Sequence, residues 1–257
     1  MNKAKLIKQI IGSEAEKLGF SYEGAEDGDY SFYKEEGELK QYILVKIVQG
    51  NYLDLELMSN AYGQKAVSVK GSALAGENEE GMHSVLKWWE WENEEDFVRI
   101  LRYFAKIIEE KGAEKLQEIS VPTETEPTVE MEKALYGNHA ELDRQYRGKL
   151  GITADMDFRT VAGIIGTAVL STKSMGIKET EADLVGIAAV VGTEIVNRSG
   201  GGNWNWIEGF AKLCLIENIG GKKYKSESPL GIVFWYRTMG KDNVDGLLKR
   251  MGDKRRQ

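Results

Sequence analysis

The sequence predicts an α+β protein: an antiparallel sheet with flanking helices, joined to a second, helix-rich α+β domain. Short runs in the first half alternate apolar and polar residues, which is the period of a half-buried strand. Longer apolar runs in the second half repeat with helical spacing. Between the halves, residues 121–129 hold two of the three prolines together with Thr and Glu, which is typical of a linker. We therefore predict an acidic domain at 1–120 and a second domain at 130–257.

The first domain is predicted to begin and end with a helix and to place its strands between them. The first helix ends at Gly19, and the second begins at Asn93 or Glu94 and ends at Gly112. The dipeptide Gly50-Asn51 predicts a hairpin between two of the strands. Both helices are expected on one face of the sheet. The predicted strands are Tyr30–Tyr33, Gln41–Gln49, Tyr52–Met58 and Lys65–Val69.

The second domain is predicted to be mostly helical. Two of its helices carry small residues along one side, which predicts that these two pack closely against each other. The glycines at 200–202 follow a helix, so we interpret them as a helix C-cap and turn and not as a phosphate-binding loop. The predicted helices are Met131–Tyr146, Phe158–Ser171, Glu181–Arg198 and Val244–Met251.

Two segments of the second domain are less regular. Ala211–Ile219 is predicted to be a strand, and a partner strand is expected near Lys223–Lys225, after the turn formed by Gly220 and Gly221. Leu230–Tyr236 is apolar and follows a proline, and its short length fits either a strand or the first turns of a helix.

Acidic residues outnumber basic ones, and the excess lies in the first domain. The chain has 34 Lys and Arg against 41 Asp and Glu, a net charge of −7. Residues 1–120 hold 15 basic and 23 acidic residues, net −8, so residues 121–257 hold the remaining 19 and 18, net +1. This balance disfavours general nucleic-acid binding. The apolar runs are shorter than the ~20 residues needed to cross a bilayer, so we predict a cytoplasmic protein with no membrane partner.

One carboxylate and one histidine in the second domain are candidates for chemistry. Glu194 interrupts an apolar helix. It either faces solvent beside Arg198, four residues on, or lies buried with a partner and a perturbed pKa. His139 and Asp143 are four residues apart on a helix, but no third metal ligand follows at a recognisable spacing, so a solvated helix face is the simpler interpretation.

The single cysteine excludes an internal disulfide and a four-cysteine zinc site. Cys214 lies among apolar residues, where a buried structural thiol is expected, and His83 has no nucleophile beside it. The sequence contains no Gly-x-Ser-x-Gly turn, His-Glu-x-x-His pair or dinucleotide fingerprint. We therefore predict no metal site and no cofactor.

The most unusual local composition is WWEWENEED, in which Trp88, Trp89 and Trp91 stand among five acids. One interpretation is that one or two rings fill the core where the sheet meets the second helix. The other is an acidic, aromatic surface for a basic protein partner, with Glu92 and Glu95 beside the rings. Because the three rings cannot all point into one core, we expect at least one to be largely exposed.

Two patterns resemble bacterial domains. The starting helix, Leu18-Gly19-Phe20 and the aromatic strand Tyr30–Tyr33 look like an α+β domain class of unknown function. The helix Gly186–Arg198, then Gly200–Trp204, then strands and Ser228-Pro229-Leu230 before a final helix, are similar to uncharacterised domains associated loosely with immunity-type proteins. Such proteins bind and neutralise a toxin from a competing cell. The resemblance therefore implies a protein partner and brings no catalytic residues.

These observations favour a non-catalytic protein-binding protein, of the immunity type if the resemblance holds. Two alternatives stay open. The first is a hydrolase or other enzyme whose site lies in a cleft between the domains and uses Glu194 or His139. The second is a sensory module that binds a small ligand. A pocket with converging polar groups would favour an enzyme, and an acidic surface with an exposed aromatic ring would favour a protein partner.

Overall fold

The structure of the chain is a computed structural model that describes residues 1–75, 87–239 and 243–252. The chain divides into two compact units, Met1–Pro122 and Thr123–Gln257. Each unit has its own cluster of buried apolar residues. The division falls inside the segment predicted to be a linker, which forms no helix or strand between Ser120 and Thr128. His83 lies outside the described residues.

Unit 1 is an antiparallel sheet with helices, as predicted. Within the described residues, six strands pair in the order β1-β2-β3-β4-β5, and β6 pairs with β4 beside β5. The elements in chain order are α1 (Lys3–Lys17), β1 (Ser21–Glu26), β2 (Asp29–Glu36), β3 (Leu39–Val48), β4 (Tyr52–Ser59), β5 (Val67–Lys70), α2 (Gly71–Ala75), β6 (Trp89–Glu90), α3 (Glu94–Ile107) and α4 (Ala113–Ile119).

The sheet register follows from alternation along β3 and β4. Ile43 pairs with Leu57 and Val45 with Leu55, and all four side chains are buried. A one-residue slip would place this apolar set on the opposite face, so burial of one face fixes the register. The apolar sides of α1 and α3 pack into the same cluster, which confirms the expected layer of helices on one face.

The end of unit 1 differs from the prediction. The helix expected to stop at Gly112 passes through a wide turn at Ile108–Gly112 and continues as α4. Gly112 has helical backbone angles. A Cβ atom at this position would lie 3.3 Å from Cδ1 of Leu18. The glycine therefore permits a close approach to the end of α1 and does not act as a helix stop.

Unit 2 is mostly helical and contains one β-hairpin among its described residues. The elements are α5 (Val129–Leu150), α6 (Phe158–Ser171), α7 (Ile177–Ser199), β7 (Asn203–Glu208), β8 (Lys212–Glu217), α8 (Pro229–Met239) and α9 (Val244–Arg250). The four predicted helices are present, and α5 and α7 are longer than expected. Gly200 ends α7 in the left-handed conformation with φ of 79°, which confirms the C-cap.

Two assignments in unit 2 are settled by the structure. Leu230–Tyr236 lies in a helix, α8, because Pro229 can occupy the first helical position without losing a hydrogen bond. The prediction of a partner strand near Lys223–Lys225 is wrong. The partner of β8 is β7, and on its other edge β8 makes a single bridge, between Ile216 and Glu227.

Two glycines of α7 lie directly under aromatic rings. A Cβ atom at Gly186 would lie 2.1 Å from the ring of Tyr146. One at Gly192 would lie 2.1 Å from the ring of Trp204. These distances are far inside van der Waals contact, so both glycines are required by the rings packed on them. The prediction that the small residues let the two helices approach closely did not include these contacts with aromatic rings.

Candidate functional site

Trp89 is the ring of the tryptophan segment that fills the core. It pairs with Leu53 across β4 and β6 and is 1% exposed. Its ring centroid lies 4.9 Å from that of Phe104 in an edge-on arrangement. The first interpretation of the segment, a ring that fills the core where the sheet meets the second helix, describes this residue.

Trp88 and Trp91 are both half-buried, so the expectation of a largely exposed tryptophan is not met. The Trp88 ring lies 6.1 Å from Tyr52, and the Trp91 ring packs edge-on against Phe97 at 5.3 Å. The ammonium of Lys3 lies 4.6 Å above the Trp91 ring, a cation–π contact that covers it further. The two rings are covered by side chains from other elements: Tyr52 of β4 beside Trp88, and Lys3 of α1 and Phe97 of α3 beside Trp91.

The acids after the tryptophans lie where a helix begins. Asn93 accepts a hydrogen bond from the amide of Asp96 and caps α3, and Glu94, Glu95 and Asp96 form the acidic first turn. Negative charge at this end of a helix is favourable because it interacts with the free amide groups and the helix dipole. Glu92 and Glu95 are exposed. A binding role for these two acids stays a prediction.

A different aromatic residue in unit 1 is exposed. Tyr62 is 50% exposed and lines a groove of about 530 Å³ between the start of β3 and α4. The buried part of its lining combines the apolar Phe20, Leu39 and Leu116 with the polar Gln41 and Ser120. Val121, which is 59% exposed, also lines it. We call this feature the Tyr62 groove.

Tyr62 is held in an unfavourable backbone conformation. Its φ and ψ are 58° and 33°, and Ala61 before it has a φ of 43°. Residues with a Cβ atom rarely adopt positive φ, and each such residue costs on the order of 1–2 kcal/mol. Backbone strain of this kind persists where the surroundings impose it, and it is concentrated at sites of binding and catalysis.

Buried hydrogen bonds impose this conformation. The side chain of Asn60 accepts from the amide of Lys40 at 2.9 Å and donates to the carbonyl of Glu38 at 2.9 Å, which fixes the turn to the start of β3. Ser59 contacts Ser120 at 2.8 Å between hydroxyl oxygens and accepts from the amide of Ala61. The turn is thereby tied to the end of α4.

The same network includes a buried amide. Gln41 is 6% exposed, and its side-chain nitrogen donates to the hydroxyl of Ser120 at 2.8 Å and to the carbonyl of Leu116 at 3.3 Å. Buried networks in which the members are hydrogen-bonded are rigid. Tyr62 is therefore presented on a fixed turn at a preformed groove.

The segments that border the Tyr62 groove carry a small excess of acidic residues, while the two charged residues of its lining, Lys34 and Glu36, balance. The segment from Lys34 to Lys40 contains three acidic residues and two lysines. Helix α4 contains two glutamates, Glu114 and Glu118, and one lysine, Lys115. Over its whole sequence, unit 1 has 15 basic and 23 acidic side chains, a net charge of −8. A surface of this sign attracts a basic partner.

Unit 2 contains a polar cleft around Glu194. Glu194 is 4% exposed, so the simpler interpretation of a solvent-facing carboxylate is wrong and the buried alternative holds. Its Oε1 accepts from Nη2 of Arg147 at 2.8 Å, and its Oε2 accepts from Nε of Arg198 at 2.7 Å. Arg147 of α5, which is distant in sequence, pairs with the buried carboxylate. The sequence spacing indicated only the pairing with Arg198.

Asp143 completes this cluster. Nε of Arg147 donates to Asp143 at 2.8 Å. Burial raises the pKa of the Asp143 carboxyl, while Arg147 and the hydroxyl of Thr193 act in the opposite direction. The cleft, about 490 Å³ in volume, is lined by these groups and by the apolar Ile152, Met156 and Val161. We call it the Glu194 cleft.

His139 does not join Asp143 in a site. Its ring stacks on Trp204 with centroids 4.5 Å apart, and its Nδ1 lies 3.0 Å from the carbonyl oxygen of Tyr136. Within the described ranges, no group of three or more His, Cys, Asp or Glu side chains is arranged to hold a metal ion.

Sequence reasoning missed a second buried carboxyl, on α5. Glu132 is 2% exposed, and its Oε2 accepts from the backbone amide of Cys214 at 2.9 Å. Its Oε1 is buried and finds no hydrogen-bond partner in the part of the chain that the structure describes. Burial raises the pKa of Glu132 to about 7, although the amide of Cys214 opposes this.

Cys214 is a buried thiol, as expected. It is 0% exposed, and burial together with the neighbouring Glu132 raises its pKa to about 12. A thiol that stays protonated at neutral pH is a poor nucleophile. None of the helices in the described residues is long and apolar enough to cross a membrane.

Comparison with known proteins adds no further assignment. No protein-family model, curated protein or solved structure matches this chain.

Proposed function

We propose that this chain is a non-catalytic binding protein of the immunity type, which holds a basic partner protein at the Tyr62 groove. The observation that carries the proposal is the exposed Tyr62 on a strained, hydrogen-bonded turn at a groove that has apolar residues in its lining. Tyrosine is enriched among the residues that dominate binding energies at protein interfaces, where its ring fills a pocket and its hydroxyl keeps a polar contact.

Three further features support this function. The turn is fixed before binding, so little conformational entropy is lost when a partner docks. The apolar lining residues of the groove, with Val121, offer area that becomes buried in a complex. The net charge of −8 on unit 1 attracts a basic protein and speeds its encounter. The resemblance to immunity-type domains, which rests on residues of unit 2, implies a protein partner.

The test begins with a photo-crosslinker. p-Benzoylphenylalanine is placed at position 62 and, in a matched control, at position 224, where Tyr224 is 87% exposed in unit 2. After irradiation in the host cell, we expect a basic protein to be captured from position 62 and not from position 224. Captured proteins that are neutral or acidic, or that are the same at both positions, would count against the proposal.

Affinity then decides whether Tyr62 is the anchor. With the purified partner, Tyr62→Ala should lower affinity about thirtyfold, which corresponds to the ~2 kcal/mol typical of a hot-spot residue. Tyr224→Ala should leave affinity unchanged, and added salt should weaken the wild-type complex by screening. If Tyr62→Ala binds like wild type while remaining folded, the groove is not the binding site.

A further inference from the structure

The arginines of the Glu194 cleft have hydrogen-bonding capacity that the protein does not use. Arg147 donates a hydrogen bond from Nε to Asp143 and one from Nη2 to Glu194. Arg198 donates one from Nε to Glu194. Nη1 of Arg147 and both terminal amino groups of Arg198 make no hydrogen bond to any residue in the described ranges. The side chains of Arg147 and Arg198 are 22% and 35% exposed and both line the cleft.

Both guanidinium groups are held in place. Glu194 accepts from the two arginines with different oxygens, and Asp143 holds Arg147 by a further hydrogen bond from Nε. The guanidinium carbon of Arg198 lies 4.5 Å from the ring centroid of Phe158, which restricts its tilt. Positioned guanidinium groups with unused amino groups bind oxyanions in a bidentate manner at little entropic cost.

The charge of the cluster selects among oxyanions. Asp143 and Glu194 balance the two arginines, so the cluster is neutral before a ligand enters. A dianionic phosphate would bring two negative charges close to two carboxylates, whereas a monocarboxylate brings one charge that the unused amino groups can meet. The lining of the cleft also has an apolar part, formed by Ile152, Met156 and Val161, which we call the apolar wall.

From this arrangement we infer that the Glu194 cleft binds a small aliphatic monocarboxylate, with its carboxylate on Arg147 and Arg198 and its hydrocarbon on the apolar wall. The volume of about 490 Å³ lies within the range of small-molecule sites. This site is in unit 2 and is independent of the binding proposed for the Tyr62 groove, so either assignment can fail alone.

Calorimetry with four probes tests the inference on the full chain. The probes are 4-methylpentanoate, leucine, 3-methylbutylamine and inorganic phosphate, each at millimolar concentration. We expect 4-methylpentanoate and leucine to bind, because both present a carboxylate on the same hydrocarbon. The amine, which lacks the carboxylate, should not bind, and phosphate should bind more weakly than either. No binding by the two carboxylates, or stronger binding of phosphate, would overturn the inference.

A conservative substitution assigns binding to this cleft. Arg198→Lys keeps a positive charge beside Glu194 but removes the paired amino groups, so carboxylate affinity should fall about tenfold or more. Arg144→Lys is the matched control, since Arg144 lies on α5 as Arg147 does, pairs with Glu141 and does not line the cleft. Thermal unfolding confirms that both variants are folded. Wild-type affinity in Arg198→Lys would place the ligand elsewhere.

Discussion

Replacing Glu132 by Gln should change how the stability of unit 2 depends on pH. Burial raises the pKa of this carboxyl to about 7 in the folded protein, from the ordinary glutamate value of 4.5. The folded state therefore holds a proton over a pH range in which the unfolded state has released it. Because the pKa is raised, the free energy of unfolding falls as pH rises between these two values and then levels off.

The magnitude follows from the two pKa values. Ionisation costs the wild-type fold about 0.8 kcal/mol at pH 5 and about 3.3 kcal/mol at pH 8, at ~1.36 kcal/mol per pKa unit. Gln cannot ionise, and its carbonyl can still accept from the amide of Cys214. The free energy of unfolding of Glu132→Gln relative to wild type should therefore rise by about 2.5 kcal/mol between pH 5 and pH 8. Any pH-independent effect of the Gln side chain on stability cancels in this difference.

Urea denaturation at the two pH values, followed by circular dichroism, measures this difference. Glu130→Gln is the matched control, because Glu130 lies on the same helix and is exposed. Its effect should be a few tenths of a kcal/mol and nearly independent of pH. If Glu132→Gln shows the same offset from wild type at pH 5 and pH 8, the carboxyl of Glu132 is ionised in the fold and the assigned cause is wrong.

Three other expectations concern backbone and packing. Tyr62→Gly should be more stable than Tyr62→Ala by about 0.5–1 kcal/mol in urea denaturation, since glycine adopts positive φ without strain. At Tyr136, which is helical, the order should reverse: Tyr136→Gly should be less stable than Tyr136→Ala by about 1 kcal/mol. Gly192→Ala should lower the melting temperature by forcing the indole ring packed on it to move, at about 1–3 kcal/mol, while Gly163→Ala, which meets open space, should not. Limited proteolysis should cut first within 121–129, and mass spectrometry should find two resistant fragments.

The fold of unit 1 was largely predictable because its signals are local. Alternation in β3 and β4 and the turn at Gly50-Asn51 depend only on neighbouring residues. Gly112 was misjudged because its role is set by contact with Leu18, which the sequence does not place beside it. The pairing of β7 with β8 was missed although Asn203-Trp204-Asn205-Trp206 alternates polar and aromatic residues with the period of a strand, because the partner of β8 was expected only after it in the chain.

The candidate sites were harder to predict, because each depends on contacts across the fold. Asn60 and Gly63 do mark a turn around Tyr62, but nothing local shows that Tyr62 lines a groove. Glu194 and Glu132 are buried by partners 47 and 82 residues away. The tryptophan segment drew attention by composition, yet composition alone could not assign its rings to the interior.

Cys214 can report on local opening of unit 2, because its thiol reacts only when it becomes accessible. Since Cys214 is the single cysteine, any label that reacts with thiols marks one position only. Its burial and raised pKa mean that modification in the native protein must wait for a transient opening of the hairpin against α5. The labelling rate thus gives the free energy of that opening without denaturant or an engineered probe. A carboxylate bound in the Glu194 cleft would slow the labelling if ligand binding and this opening are coupled.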